Sequence, residues 1–234
     1  MRRFNSGLAV LILAGAGAGA NAQIKERIQS FVDAGEIPGA VIQYSCGGRA
    51  FGPEAVGYQD VAAKKPMRPD SIFQIMSMTK PVTAVGIMML VEEGKVSLTA
   101  PVEQYLPEFK GVNKKGRAPV VRDLLTHTSG IMGNPPQSIP DLYTKMDRSL
   151  AEAVTLYAQH QVEFEPGSKW QYSNPGIAIL GRIIEVQSGK SYEQFLSERI
   201  FQPLGMKDSH FFLPESKRDR LAIVHAKDVA GFKH

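Results

Sequence analysis

Residues 77–94 read Ser77-Met78-Thr79-Lys80-Pro81-Val82-Thr83-Ala84-Val85-Gly86-Ile87-Met88-Met89-Leu90-Val91-Glu92-Glu93-Gly94. Positions 82, 85, 86, 89 and 90 follow the spacing of one helix face. Ile87, Met88 and Val91 are also apolar, so the pattern predicts a helix buried all round. Pro81 is tolerated only in the first turn, which starts the helix near Ser77. Gly94 suits the left-handed position that closes a helix. Ser77 then sits at the positive end of the helix, beside unpaired backbone N–H groups, and Lys80 lies one turn on along the same face.

That placement suits an activated nucleophile. A serine hydroxyl is weak at neutral pH and needs a base. An ordinary lysine, with a pKa of about 10.4, is protonated there, and burial in apolar surroundings favours its neutral form. N–H groups at the helix start are able to hold an oxyanion. Taken alone the motif is weak, because ordinary residue usage yields roughly one Ser-x-x-Lys in a chain of this length. A helix-capping serine with a solvated lysine has the same spacing.

Before this helix, Met1-Arg2-Arg3 is basic, residues 8–20 are apolar and rich in Ala and Gly, and Ala20-Asn21-Ala22 follows. This is the pattern of a secretory leader cleaved after Ala22, so residues 1–22 are expected to be removed and the product to be periplasmic or secreted. Without Arg2 and Arg3 the formal charge falls from +4 to +2. The remaining Lys and Arg are scattered, which argues against a nucleic-acid partner. Cys46 is the only cysteine, so there is no internal disulfide. The five histidines show no metal-ligand spacing, and no metal or other cofactor is expected. No second apolar run is long enough to span a membrane.

Along residues 23–234, a helix is expected at 24–34. A hairpin is expected from strands 40–46 and 50–57, turning at Gly47-Gly48. After the Ser77 helix come loop and short helix over 98–102 and 105–107, a basic loop at 110–118, a short helix at 120–125, and a Pro- and Gly-rich loop at 132–140. Further helices are expected at 149–160, 175–186 and 192–201. Asn174 is placed as the cap of the 175–186 helix, with Pro175 at its first position. Helix and hairpin followed by a run of helices predicts an α+β fold with an inserted helical region, divided as 23–85 and 86–234.

A second motif, Tyr172-Ser173-Asn174, follows a turn at Pro166-Gly167 and opens a helix. A tyrosine there, close to Lys80, would be favoured as phenolate and could act as general base and then general acid. An ordinary half-buried tyrosine beside an Asn cap is the plainer reading.

Four segments stand in one order: Ser77-Met78-Thr79-Lys80, Leu124-Leu125-Thr126-His127-Thr128-Ser129-Gly130, Tyr172-Ser173-Asn174 and Pro203-Leu204-Gly205-Met206. Together they resemble the serine beta-lactamase-related hydrolases, which include class C beta-lactamases, D-alanyl-D-alanine carboxypeptidases and family VIII carboxylesterases. The resemblance covers the chain from about Ile24 to its end. It implies a beta-lactamase/transpeptidase-like fold, an antiparallel sheet flanked by helices plus an inserted, mostly helical domain. It implies that Ser77 is the acylated nucleophile and that Lys80 assists proton transfer. Tyr172 would be the catalytic base, and Asn174 would contact lysine and substrate. The N–H of Ser77 would form half of an oxyanion hole. His127 and Ser129 are expected to shape the site through a turn. The absence of any Gly-x-Ser-x-Gly elbow argues against an α/β-hydrolase.

The family's third motif, a Lys-Thr-Gly or a His-x-Gly or Trp-x-Gly variant on a late strand, has no match after Asn174. Lys114-Lys115-Gly116 precedes Tyr172 and is out of order. The expectation is a chain lacking the closing C-terminal strands and supplying only the hairpin to the sheet. The substrate expected is a small ester, with a beta-lactam or D-alanyl peptide as the alternative. A penicillin-binding or inactive module without turnover is the competing reading.

Overall fold

The structure, a computed structural model, describes residues 19–113, 116–135, 148–228 and 231–233. Most of the expected leader, and parts of the loops expected at 110–118 and 132–140, lie outside the described residues. Among the described residues no helix is long and apolar enough to cross a membrane.

The chain forms two units, residues 1–74 with 213–234, and residues 75–212. The partition expected at residue 85 falls instead ahead of Ser77, so the nucleophile helix belongs wholly to the helical unit.

In the first unit, α1 (Gly19–Asp33) packs on β1 (Gly39–Cys46) and β2 (Arg49–Asp60). The two strands pair antiparallel, Gly39 with Gly57 and Cys46 with Arg49, with a register shift between Ile42 and Tyr44. Gly52 sits opposite that bulge at φ +86°, where an added Cβ would lie 2.4 Å from the Ile42 carbonyl oxygen, so no larger residue fits. The other edge of β2 pairs with β3 (Lys65–Pro66).

The expectation that the hairpin alone makes up the sheet is corrected by β3, which joins it; after residue 213 the described residues add an isolated bridge, a backbone hydrogen bond to β2 and a separate hairpin. Ile72 and Leu221 form a parallel bridge, and the Ile223 N–H donates to the Gln59 carbonyl at 2.8 Å. Buried Gln59 is satisfied on both sides, donating to the Asp219 carbonyl at 2.8 Å and accepting from Ser71 Oγ at 2.9 Å. A second hairpin joins β4 (Ala226–Asp228) and β5 (Gly231–Lys233). These two strands are three residues long, too short for alternation to mark them in sequence.

In the second unit, a 3₁₀ turn at Met76–Met78 leads into α2 (Thr79–Glu92). Its end is a Schellman motif. The Gly94 N–H donates to the Val91 carbonyl and the Lys95 N–H to the Leu90 carbonyl, both at 2.9 Å. After α2 come α3 (Val121–Leu125), α4 (Leu150–Ala158), α5 (Asn174–Ser188) and α6 (Tyr192–Leu196). The last continues as a π-helical turn, Ser197–Phe201. Helix α5 is central, touching α2, α3, α4 and α6. Ile179, Leu180, Ile183 and Ile184 of α5 are fully buried with Ile87 and Leu90 of α2, Val154 and Tyr157 of α4, and Phe195 and Leu196 of α6. Gly86 allows the close approach: a Cβ there would meet Ile184 Cδ1 and Leu196 Cδ2 at 3.0 Å. Helix α2 is not buried all round, because Val85 and Met88 stay about half exposed. The buried stripe is Thr83, Gly86, Ile87 and Leu90.

Candidate active site

Ser77, Lys80, Tyr172 and Asn174 all lie in the helical unit, and the structure brings them together. Ser77 is exposed in the 3₁₀ turn, and Met76 before it has φ +46°. A non-glycine residue in the left-handed region costs about 1–3 kcal/mol and persists only where the surroundings impose it. Lys80 Nζ donates to Ser77 Oγ at 3.1 Å and to Asn174 Oδ1 at 2.9 Å. The same ammonium lies 4.6 Å from the centroid of the Tyr172 ring. The Tyr172 hydroxyl donates to Ser77 Oγ at 2.6 Å. The serine oxygen therefore has a phenol and an ammonium on it at once.

Two anchors hold α2 and α5 in this arrangement. Thr83, one turn beyond Lys80, bonds the Thr79 carbonyl and the part-buried Tyr192 hydroxyl of α6. Burial holds the Tyr192 phenol above its ordinary range, so it stays neutral in that bond. On α5 the cap is Ser173 rather than the expected Asn174. Ser173 Oγ accepts from the Gly176 N–H at 3.0 Å and donates to the Met132 carbonyl at 2.6 Å. With the cap filled by its neighbour, the Asn174 side chain is free to reach Lys80.

The segment from His127 to Gly133 lies along the strand-like stretch before α5 and hydrogen-bonds to it repeatedly. The Gln171 N–H donates to the His127 carbonyl at 2.8 Å, and the Ser173 N–H donates to His127 Nδ1 at 3.2 Å. The Asn174 N–H donates to the Gly133 carbonyl at 3.0 Å, beside the bond from Ser173 Oγ to Met132. Gly130, at φ +73°, turns this segment where a Cβ would lie 2.3 Å from the Phe164 carbonyl oxygen. Upstream, α3 is held by Asp123. Its buried carboxylate takes Arg117 bidentately at 2.6 and 3.0 Å and accepts from the Val120 N–H at 2.9 Å. That bond to Asp123 holds the Arg117 guanidinium above its ordinary value.

The His127 ring packs 4.7 Å from the Tyr172 ring at 37°, and Trp170 stands edge-on to His127 at 6.1 Å. Ser129 is buried and accepts from the Ile131 N–H, so it is no partner for His127. His127 as a direct neighbour of Tyr172, and Trp170 beside it, went unread in the sequence. A Gly-terminated turn marks residues 126–130, but nothing in its spacing ties it to residues 170–173. Met78 and Trp170, 65% and 66% exposed, give this region an apolar surface.

Hydrogen bonding in the site favours an ionisable phenol. The hydrogen bond to Lys80, and after it the one to Ser77, hold Tyr172 below the ordinary phenol value, with burial opposing and the Lys80 charge adding to the fall. Burial, then the Lys80 charge, hold His127 below the ordinary imidazole value.

Residues 24–234 match the family model described as Beta-lactamase, and the chain belongs to that family and has its fold. It is 34% identical over 193 residues to esterase EstB of Burkholderia gladioli, a match covering 78% of this chain and 49% of EstB. Among solved structures it is similar to EstCE1, a hydrolase with promiscuous acyltransferase activity. The TM-score is 0.79 at 28% identity, covering 92% of this chain and 60% of EstCE1. It is also similar to the D-amino acid amidase of Ochrobactrum anthropi SV3, with TM-score 0.76 at 31% identity, covering 91% of this chain and 58% of the amidase. The chain spans about half the length of the curated relatives it matches.

Proposed function

We propose that this chain carries the nucleophile and base of a serine hydrolase that passes an acyl group through Ser77, with a small ester as its substrate. The carrying observation is that Ser77 Oγ is bonded by the Tyr172 hydroxyl at 2.6 Å and by Lys80 Nζ at 3.1 Å. As phenolate, Tyr172 takes the proton of Ser77 while Oγ forms a bond to the substrate carbonyl carbon. Lys80 stabilises the phenolate by charge, and Asn174 keeps Lys80 in place. On collapse of the tetrahedral intermediate the C–O bond to the leaving group breaks. Tyr172 then gives its proton to the departing alkoxide. Water repeats the sequence on the acyl-enzyme, its proton going to Tyr172 and then to Ser77 Oγ. The ester preference is supported by the likeness to EstB and EstCE1 and by the apolar surface of Met78 and Trp170.

An amide substrate, of the beta-lactam or D-alanyl kind, is the second reading, favoured by the likeness to the D-amino acid amidase. Export belongs to the proposal, on the strength of the basic start, apolar run and Ala20-Asn21-Ala22. N-terminal mass analysis of the exported product should then begin at Gln23.

The test is labelling with a fluorophosphonate, followed by peptide mapping and by turnover of nitrophenyl esters, nitrocefin and D-alanyl peptides. Ser77 should carry the label, Ser77→Ala should lose it with the fold intact, and esters should turn over fastest. Label on Ser129 would overturn the assignment.

A further inference from the structure

We infer that His127 is the positioning residue for Tyr172, and that it acts only as the neutral imidazole with its proton on Nε2. The proposal rests on the hydrolase reading above. Tyr172 is 38% exposed, and its hydroxyl reaches Ser77 at 2.6 Å. The direction of its ring therefore depends on the peptides either side of it. One residue grips both. The His127 carbonyl accepts from the Gln171 N–H at 2.8 Å, and His127 Nδ1 accepts from the Ser173 N–H at 3.2 Å. The imidazole then lies against the Tyr172 ring at 4.7 Å. His127 makes all three contacts from φ +58°, a left-handed backbone that aims its carbonyl and its ring at the same neighbouring stretch.

The chemistry of imidazole makes this grip conditional. Nδ1 accepts a hydrogen bond only when it carries no proton. An imidazolium would oppose N–H to N–H at Ser173 and add a second positive charge to the one on Lys80. Of the groups facing His127, Lys80 from α2 supplies the charge that acts on it, and Tyr172 is the titratable ring packed against it at a tilt. Trp170 is uncharged, and among the described residues no carboxylate contributes. Burial and Lys80 hold the imidazole below its ordinary value, so the neutral form prevails at pH 7 and the grip loosens only in acid. The active form then has His127 neutral and Tyr172 ionised. Between the two titrations the rate rises tenfold per pH unit. Below the His127 titration both protons count, and it changes a hundredfold per unit.

The test measures the rate of Ser77 labelling by a fluorophosphonate against pH in the whole chain, for wild type, His127→Asn and His127→Gln. Asn places an untitratable carbonyl oxygen near the Nδ1 position, and Gln places it further out. His127→Asn should label within about tenfold of wild type at pH 7 and keep a one-proton slope throughout acid. His127→Gln should be slower by about 10²-fold, the usual cost of a misplaced catalytic group. A two-proton slope in His127→Asn, or equal rates for the Asn and Gln variants, overturns the proposal. Nitrogen NMR of the wild-type imidazoles decides independently of activity. The Nε2–H tautomer at His127 is expected, and an Nδ1–H tautomer overturns the proposal. Absence of labelling in wild type at every pH refutes the hydrolase reading, and the tautomer still decides whether His127 holds Ser173.

Discussion

Tyr172→Phe removes one oxygen and little else. The ring keeps its contact with His127 at 4.7 Å and its place 4.6 Å from Lys80 Nζ. What goes is the 2.6 Å bond to Ser77 Oγ and with it the proton acceptor. General acid–base catalysis contributes about 10²–10⁴-fold. The barrier to acylation should therefore rise by about 2.7–5.5 kcal/mol. Stability should hardly change. Tyr172 and Ser77 are both exposed, so water replaces the lost partner, and the net worth of such a bond is about 0.5–1.5 kcal/mol. That corresponds to a fall in Tm of about 1–6 °C for a chain of this size. The pH profile gives a second readout. Catalysis needs the phenolate, so the wild-type rate should climb as pH rises through the Tyr172 titration, which Lys80 holds below the ordinary phenol range, and level off above it. Tyr172→Phe should lack this limb. The assay is nitrophenyl-ester turnover and fluorophosphonate labelling across pH, with thermal melts alongside. A variant rate within about threefold of wild type, or a surviving limb, would remove Tyr172 from the mechanism.

Ser173→Ala should strip the cap of α5 and leave the Met132 carbonyl without its donor. A lost cap typically costs about 1 kcal/mol and an unsatisfied group in this part-buried place up to about 1–3, so urea unfolding should show a loss of about 2–4 kcal/mol. A loss below about 0.5 kcal/mol would show that neither bond matters. Arg117→Ala leaves Asp123, whose side chain is 5% exposed, with the Val120 N–H in place of its bidentate partner. Breaking a fully buried pair costs about 3–5 kcal/mol. Arg117 is itself 44% exposed and partly screened, so the same unfolding measurement should show about 1–3 kcal/mol. An unchanged unfolding midpoint would mean that Asp123 holds α3 without it.

Much of the helical unit is local and was legible. Pro81 allows a helix start just before it, and Gly94 closes α2 by a motif confined to its last turn. Ser149 caps α4 through the Glu152 N–H, and Gly189 ends α5 at φ +70°. The Ser77–Lys80 contact is likewise local, set by one helical turn. Local pattern does not say which apolar face finds a partner, so the exposure of Val85 and Met88 was decided by the packing of α5 and α6. Between Ser173 and Asn174 the sequence offers two capping side chains, and only the position of Lys80, 94 residues earlier, assigns one to the helix and the other to the site. The contacts Ser77–Tyr172 and His127–Ser173 cross 95 and 46 residues. Such pairs have no spacing to announce them, because chain closure over that distance is driven by the burial of α5 against α2, α3 and α4 rather than by the residues that meet. The amino-acid sequence by itself determined which of the longer elements form, where the helices stop and which side chains are candidates for chemistry. Tertiary structure decided which of those side chains meet, because their meeting depends on a core built elsewhere in the chain.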